Sequence, residues 1–321
     1  MSLYSVLIGR PLPKSSAGQE RLPRLEALPI LSSDALSSVA YATEAALGVL
    51  ILAGSRALSL SLPITLAIIA LITVVVLSYR QVIAAYPEGG GSYVVARDNL
   101  GRNVGLVAAA ALLIDYVLTA AVSLMAGGQA ISSLLPSLLP HEVALSLLLL
   151  ALVGWANLRG LREAGRLFAV PTYAFVVMLA LLTLLGLHDL VFHHGFRPDP
   201  PPPVKALEPL GLFLILRAFS SGCSAMTGIE AIANGVQVFR EPAPAHARQT
   251  LLVMGVLLSL MFFSVSGMGF LYGIAPDPHI TVLAQIGTRV FGPGSALLWA
   301  LQISTLLILV LAANTAFSGF P

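Results

Sequence analysis

Asp34, Ser37, Ser38 and Tyr41 stand at i, i+3, i+4 and i+7 of an otherwise apolar stretch, a spacing that lines four oxygen-bearing side chains along one face of a helix. A carboxylate at the centre of a bilayer costs roughly 2.5–3.5 kcal/mol even on the lenient insertion scale. Its retention among hydroxyls points to a hard cation that has shed water and needs replacement oxygens. Two further stripes have the same character. Asp115, Thr119 and Ser123 fall at i, i+4 and i+8, and Thr227 and Glu230 at i and i+3 beside Gly222 and Gly228. Glycines there let the chain unwind and present carbonyl oxygens, which is tolerated at membrane depth only where backbone lines a site. The candidate cation ligands are therefore Asp34, Ser37, Tyr41, Asp115, Thr119, Ser123, Thr227 and Glu230. Three carboxylates around one monovalent ion cannot all stay ionised, so Asp115 or Glu230 is the expected carrier of a coupling proton.

Each stripe has a plainer explanation. Polar side chains also bind membrane helices to one another, at about 0.6–2 kcal/mol per contact, but such contacts rarely use an ionisable group. A lone Ser or Thr can bond back to its own i−4 carbonyl, and glycine can serve close helix packing. Glu44 and Arg217 form a separate candidate pair. Each lies ten residues from the site motif on the same side, roughly 15 Å along a helix, where they would form an external gate or a structural clasp.

Positioning these side chains requires membrane spans. Of 321 residues 57% are hydrophobic and 10% charged, against about 25% charged in a soluble domain, and mean hydropathy is +0.90. Apolar windows long enough to cross about 30 Å of hydrocarbon fall near 31–53, 58–86, 103–134, 142–160, 163–187, 206–236, 247–273 and 294–316, giving an all-α polytopic membrane protein. Twelve basic residues flank these windows on one side, among them Arg80, Arg97, Arg102, Arg159 and Arg240; four lie on the other, Arg56, Arg197, Lys205 and Arg289. The positive-inside rule then places the N-terminus in the cytoplasm. Residues 1–30 read as a cytoplasmic segment without a signal peptide, the first span serving as the membrane address. A net charge of +2 with no basic stripe gives no footprint for nucleic acid.

Segment 188–205 contains Pro198 and Pro200 to Pro203 and is expected to run as a stiff, extended external linker. It divides 31–187, with spans one to five, from 206–321, with spans six to eight. Both halves open on a hydroxyl-rich interruption ending in Glu, Ser32 to Glu44 and Ser220 to Glu230, approached from opposite sides of the membrane. Corresponding broken helices of opposite direction point to an inverted-repeat transporter with a midplane site. A five-plus-five repeat would need two more helices, so the chain is expected to be a fragment, with eight spans of ten or more. Residues 279–291 are expected to form an external interfacial helix.

Other motifs attract functional readings that fail on detail. Gly89-Gly90-Gly91 follows no strand and precedes no Lys-Ser/Thr, so a flexible cytoplasmic turn replaces a nucleotide loop. His193 and His194 lack a zinc-type ligand set, and Cys223 is a small packing residue that can form no intramolecular disulfide, being the only cysteine. Asp34 and Asp115 raise the thought of an intramembrane aspartyl protease, but Ile114 precedes Asp115 where its signature requires glycine. No enzyme activity is expected.

Pro87-Glu88-Gly89-Gly90-Gly91-Ser92-Tyr93 and Gly228-x-Glu230-x-x-Ala233-Asn234 resemble the amino acid-polyamine-organocation transporter superfamily. The run Ser33 to Tyr41, Asp115-Tyr116-x-x-Thr119-x-x-x-Ser123 and Thr227-Gly228-x-Glu230 look, within it, like the KimA-type potassium/proton symporters related to the Kup uptake family. The resemblance implies an inverted five-helix repeat (a LeuT-like core), proton-coupled potassium import in a prokaryotic cytoplasmic membrane, and no cofactor beyond the transported ions. It also implies a C-terminal region, absent here, through which a homodimer would form.

Amino acid or polyamine uptake is the competing function. Amino acid carriers of that superfamily receive the substrate carboxylate on exposed N–H groups in a glycine-rich break of the first helix, where this chain has Asp34. An anion about 4 Å from a substrate carboxylate repels it by roughly 4 kcal/mol at an effective dielectric of 20, near a thousandfold in affinity. Organic cations escape that argument, and Tyr41 is the sole aromatic in the first motif. A channel is less consistent with broken helices carrying titratable groups than alternating access is.

Overall fold

A computed structural model of the chain describes residues 21–158 and 165–319. The first span comprises α1 (Arg24–Ser37) and α2 (Val39–Leu50), the second α3 (Ser61–Ala85), and a short α4 (Ser92–Leu100) leads into α5 (Arg102–Ser132). Next come α6 (Glu142–Leu158), α7 (Gly165–Asp189), the sixth span as α8 (Leu212–Gly222) and α9 (Ala231–Asn234), then α10 (Ala243–Leu271), a short α11 (Val282–Phe291) and α12 (Ala296–Gly319). Eight helical segments among the described residues are long and apolar enough to cross a membrane, the first Glu26–Ala53 and the last Ala296–Phe317. The chain is a multi-pass integral membrane protein. The first helix begins at Arg24, inside the segment read as an N-terminal tail; Arg10, Lys14, Arg159 and Arg162 of the charge count lie outside the described residues.

The first span runs through the middle of the bundle. Ala35, Leu36, Val39, Ala42 and Leu50 are all fully buried, which frees neighbouring polar positions to face other helices rather than lipid. α3 buries Ile68, Ile72 and Val76, one stripe at i, i+4 and i+8 that packs on α10. Gly255 permits the close approach there, since a Cβ at that position would lie 2.7 Å from Val76 Cγ2. By contrast α5 shows Val107, Ile114, Val117 and Leu118 on its outside, an apolar face suited to lipid or further helices.

Three expectations need correction. The proline segment is not extended throughout: α7 continues as a helical turn over Leu190–His194. Beyond it Asp199 N donates to Leu271 O at 2.9 Å, Leu207 N to Leu52 O at 2.7 Å and Val204 N to Ser55 Oγ at 2.6 Å. Prolines lack N–H groups but keep their carbonyls, so neighbouring residues strap the segment across the helix ends. α11 has the expected periodicity, but Val282, Leu283, Ala284, Ile286 and Gly287 are buried, so its apolar face is turned to the bundle and not to lipid. Gly89-Gly90-Gly91 is pinned rather than flexible: Gly90 N donates to Ala233 O at 3.3 Å and Gln237 Nε2 to Glu88 O at 2.6 Å. Any side chain at Gly91 would collide with Asn234.

A polar clasp joins the start of the described chain to the end of the sixth span. Leu22 N donates to Val238 O at 2.8 Å and Arg240 N to Leu22 O at 3.2 Å. Glu241 accepts from Ala243 N at 3.2 Å and pairs with Arg21. That amide and the guanidinium hold the Glu241 carboxyl below its usual range, so its contribution to stability is present at neutral pH and lost as pH falls through its folded value. Glu241→Gln is expected to flatten the acid side of a plot of melting temperature against pH; an unchanged plot would remove the clasp from the account.

Candidate functional site

The two interruptions are unequal. In the first span the break is one residue, Ser38, which keeps helical angles (φ −61°, ψ −23°). Its hydroxyl lies 2.6 Å from Ala35 O and 2.9 Å from Ala225 O, one proton between two carbonyls, which ties the break to the sixth span. There the helix stops outright. After α8, Cys223–Met226 form one tight turn, Thr227 is extended at ψ 145°, Gly228 takes φ +74°, and α9 has only four residues.

Gly228 gives the first contact of the site. A Cβ there would meet Asp34 Oδ2 at 2.6 Å, so the carboxylate lies against unwound backbone. Asp34 is 6% exposed, and its Oδ1 is buried without a hydrogen-bond partner. Two helical turns beyond, Tyr41 OH is 3.3 Å from Thr227 Oγ1 and comes near Ser123 of α5 without completing a hydrogen bond. Thr119 Oγ1, Ser123 Oγ and Ser224 Oγ are buried and likewise unpartnered. Buried polar atoms in folded proteins nearly always have partners. Ser61 Oγ and Gln302 Oε1 are also without partners among the described residues, but these four oxygens come from the first, third and sixth spans, with Asp34 against Gly228 and Ser123 beside Tyr41.

Asp115, half-buried on α5, is within electrostatic reach of Asp34 on one side and Glu230 on the other. Glu230 forms its own cluster. Its Oε2 accepts from Tyr79 OH at 2.9 Å and from Ser92 Oγ at 2.6 Å, and its Oε1 lies 3.4 Å from Asn234 Nδ2. Thr227 and Glu230 thus do not share a helix face as their spacing suggested, because the turn at Gly228 separates them. Ser37 donates its hydroxyl proton to Asp34 O at 2.8 Å, within its own turn, a bond that uses its proton and not its oxygen lone pairs. Nor do Glu44 and Arg217 pair. Glu44 Oε2 accepts from Val282 N at 3.2 Å, whereas half-exposed Arg217 stands 4.0 Å from Glu208; counting the rise along two helices fixed their depth but not the direction of either side chain. Each of the two histidines lies near a single carboxylate, His194 Nε2 at 3.1 Å from Asp199 and His193 Nδ1 at 3.7 Å from Asp189, and among the described residues no three His, Cys, Asp or Glu side chains gather as metal ligands would.

Sequence reasoning missed Tyr79, Ser92 and Ser224 as members of the site. Tyr79 is a single phenol in a long apolar run, with no periodic partner to flag it, whereas Ser92 and Ser224 sat inside motifs noted for other reasons.

Comparison with known proteins bears on the whole chain. Residues 34–321 match the family model described as amino acid permease. The chain is 44% identical over 324 aligned residues to the potassium transporter KimA of Bacillus subtilis (strain 168), covering all of this chain and 53% of that protein. It is 28% and 29% identical to the large neutral amino acids transporter small subunit 2 of Mus musculus and Homo sapiens, over 56% of this chain and 35% and 34% of theirs. The chain spans about half the length of the potassium transporter and about a third of the amino acid transporter subunits.

Proposed function

Because the chain belongs to the amino acid permease family, we propose that the protein it forms is a secondary active transporter that imports potassium, coupled to protons, by alternating access around a midplane cation site. The observation that carries this reading is the set of unpartnered buried oxygens, Asp34 Oδ1, Thr119 Oγ1, Ser123 Oγ and Ser224 Oγ, gathered from three spans about a broken helix. A dehydrated alkali ion accepts electron density from several neutral oxygens and one carboxylate without needing a donor proton. In the proposed orientation the N-terminus is cytoplasmic and Asp34 lies near the membrane centre.

The same set weighs on the substrate. An amino acid would have to place its carboxylate at the first-span break, where Asp34 already stands against Gly228, and like charge disfavours it. Inorganic potassium suits the small hydroxyls better than a polyamine does.

Glu230 and Asp115 are the proposed proton carriers. Tyr79 and Ser92 hold one Glu230 oxygen by two hydroxyls, beside the Gly89–Gly91 loop, so an exchange of the Glu230 proton would change how that loop meets the sixth span. Rubidium uptake into vesicles bearing the full-length protein is expected to rise with an inwardly directed proton gradient. Glu230→Gln is expected to abolish that response. Uptake indifferent to the gradient in the unaltered protein would remove proton coupling.

A further inference from the structure

Between Tyr41 and Glu44, one turn further along the first span, opens a cavity of about 210 Å³, room for several water molecules at about 30 Å³ each. Its walls come from α2, α5, α12 and the start of α11, and are mostly apolar: Ala40, Val122, Met125, Ala126, Ala130 and Leu283. Into it also face Tyr41, Glu44, Gln129, Thr281 and Thr305. Tyr41 belongs to both compartments, since its hydroxyl reaches Thr227 below while its side chain lines the cavity above.

Glu44 is the single carboxylate of this lining. One of its oxygens accepts from Val282 N; the other has no hydrogen bond among the described residues. Asp277, in the loop leading to α11, adds its negative field. Low-dielectric walls around one sign of charge focus that field and concentrate counter-ions. Arg217, the one cation expected to neutralise Glu44, lies instead beside Glu208.

We propose that this cavity is a second cation station, in which Glu44, with the side-chain oxygens of Gln129 and Thr281, holds a partly hydrated monovalent cation one step before Tyr41. The volume suits an ion that keeps part of its water, whereas the oxygens below Tyr41 would replace it. Glu44 thus recruits substrate rather than bolting a gate. The inference rests on the reading of this protein as a cation transporter.

Glu44→Gln tests it, because the amide oxygen still accepts from Val282 N while the charge is gone. In the full-length protein at low ionic strength, the rubidium concentration giving half-maximal uptake is expected to rise about tenfold. Ser133→Ala, which removes the neighbouring tie from Thr281 N to Ser133 Oγ but no charge, is expected to leave it within about twofold. An unchanged value in Glu44→Gln, or an equal rise in Ser133→Ala, would overturn the proposal. Calorimetric titration of the purified proteins with rubidium separates this outcome from failure of the transport reading. Should the unaltered protein bind rubidium at two sites and Glu44→Gln at one, the station stands even without uptake; equal stoichiometry in the two would refute it.

Discussion

Asp34→Asn is expected to lower rubidium uptake by about a hundredfold to a thousandfold at sub-saturating concentration, with the amount of protein in the membrane unchanged. The substitution keeps the shape of the side chain and the contact with Gly228 but removes the one formal charge that is fully enclosed in the site, at 6% exposure. A unit charge about 4 Å from a cation is worth roughly 4 kcal/mol at an effective dielectric of 20, about a thousandfold, and the amide oxygen recovers part of it. Asp115 and Glu230 do not compensate, because Asp115 is only half-buried and Glu230 already holds two hydroxyls. Growth of a potassium-uptake-deficient bacterial strain on low potassium gives the same reading in a second form. Uptake within about threefold of the unaltered protein would mean that Asp34 is a helix-packing residue, and the cation site would have to be sought elsewhere.

Gly228→Ala should come next in size. The residue adopts φ +74°, where L side chains are strained, and the added methyl would lie 2.6 Å from Asp34 Oδ2. Holding a non-glycine residue in such a conformation costs of order 1–3 kcal/mol. The chain can relieve the clash by moving the carboxylate or by rewinding the break, and either change withdraws a cation ligand. A rise of at least about tenfold in half-saturating rubidium concentration is expected. Gly48→Ala serves as the comparison in the first span, since no atom lies within 4 Å of a Cβ there, and it should behave as the unaltered protein. Equal behaviour of Gly228→Ala and Gly48→Ala would show that the contact between Asp34 and the unwound backbone has no part in binding.

Much of this arrangement can be read from the residues. Eight apolar windows locate the spans because lipid demands about 20 apolar residues per crossing, and hydroxyls spaced at helical intervals from Asp34 and Asp115 already indicate an interior face. What a one-dimensional pattern lacks is the direction in which a broken helix resumes. The positive φ of Gly228 rotates Glu230 away from Thr227 into the company of Tyr79 and Ser92, and no periodicity reports a turn of that kind. The same limit applies to Glu44 and Arg217: depth follows from residue count, but the facing direction depends on how α2 and α8 are packed. Glycine loops mislead in another way. Gly91 looks permissive by itself, and only the asparagine packed on it shows that absence of a side chain is what the contact requires.

The measurement that bears most directly on the central claim is the position of rubidium in crystals of the full-length protein, located by its anomalous scattering. A peak is expected in direct contact with Asp34 and the unpartnered hydroxyls of Thr119, Ser123 and Ser224, against the unwound backbone at Gly228. Ordered crystals in rubidium showing density only at surface carboxylates, with water hydrogen-bonded to Asp34 Oδ1 and to the unpartnered hydroxyls, would contradict it.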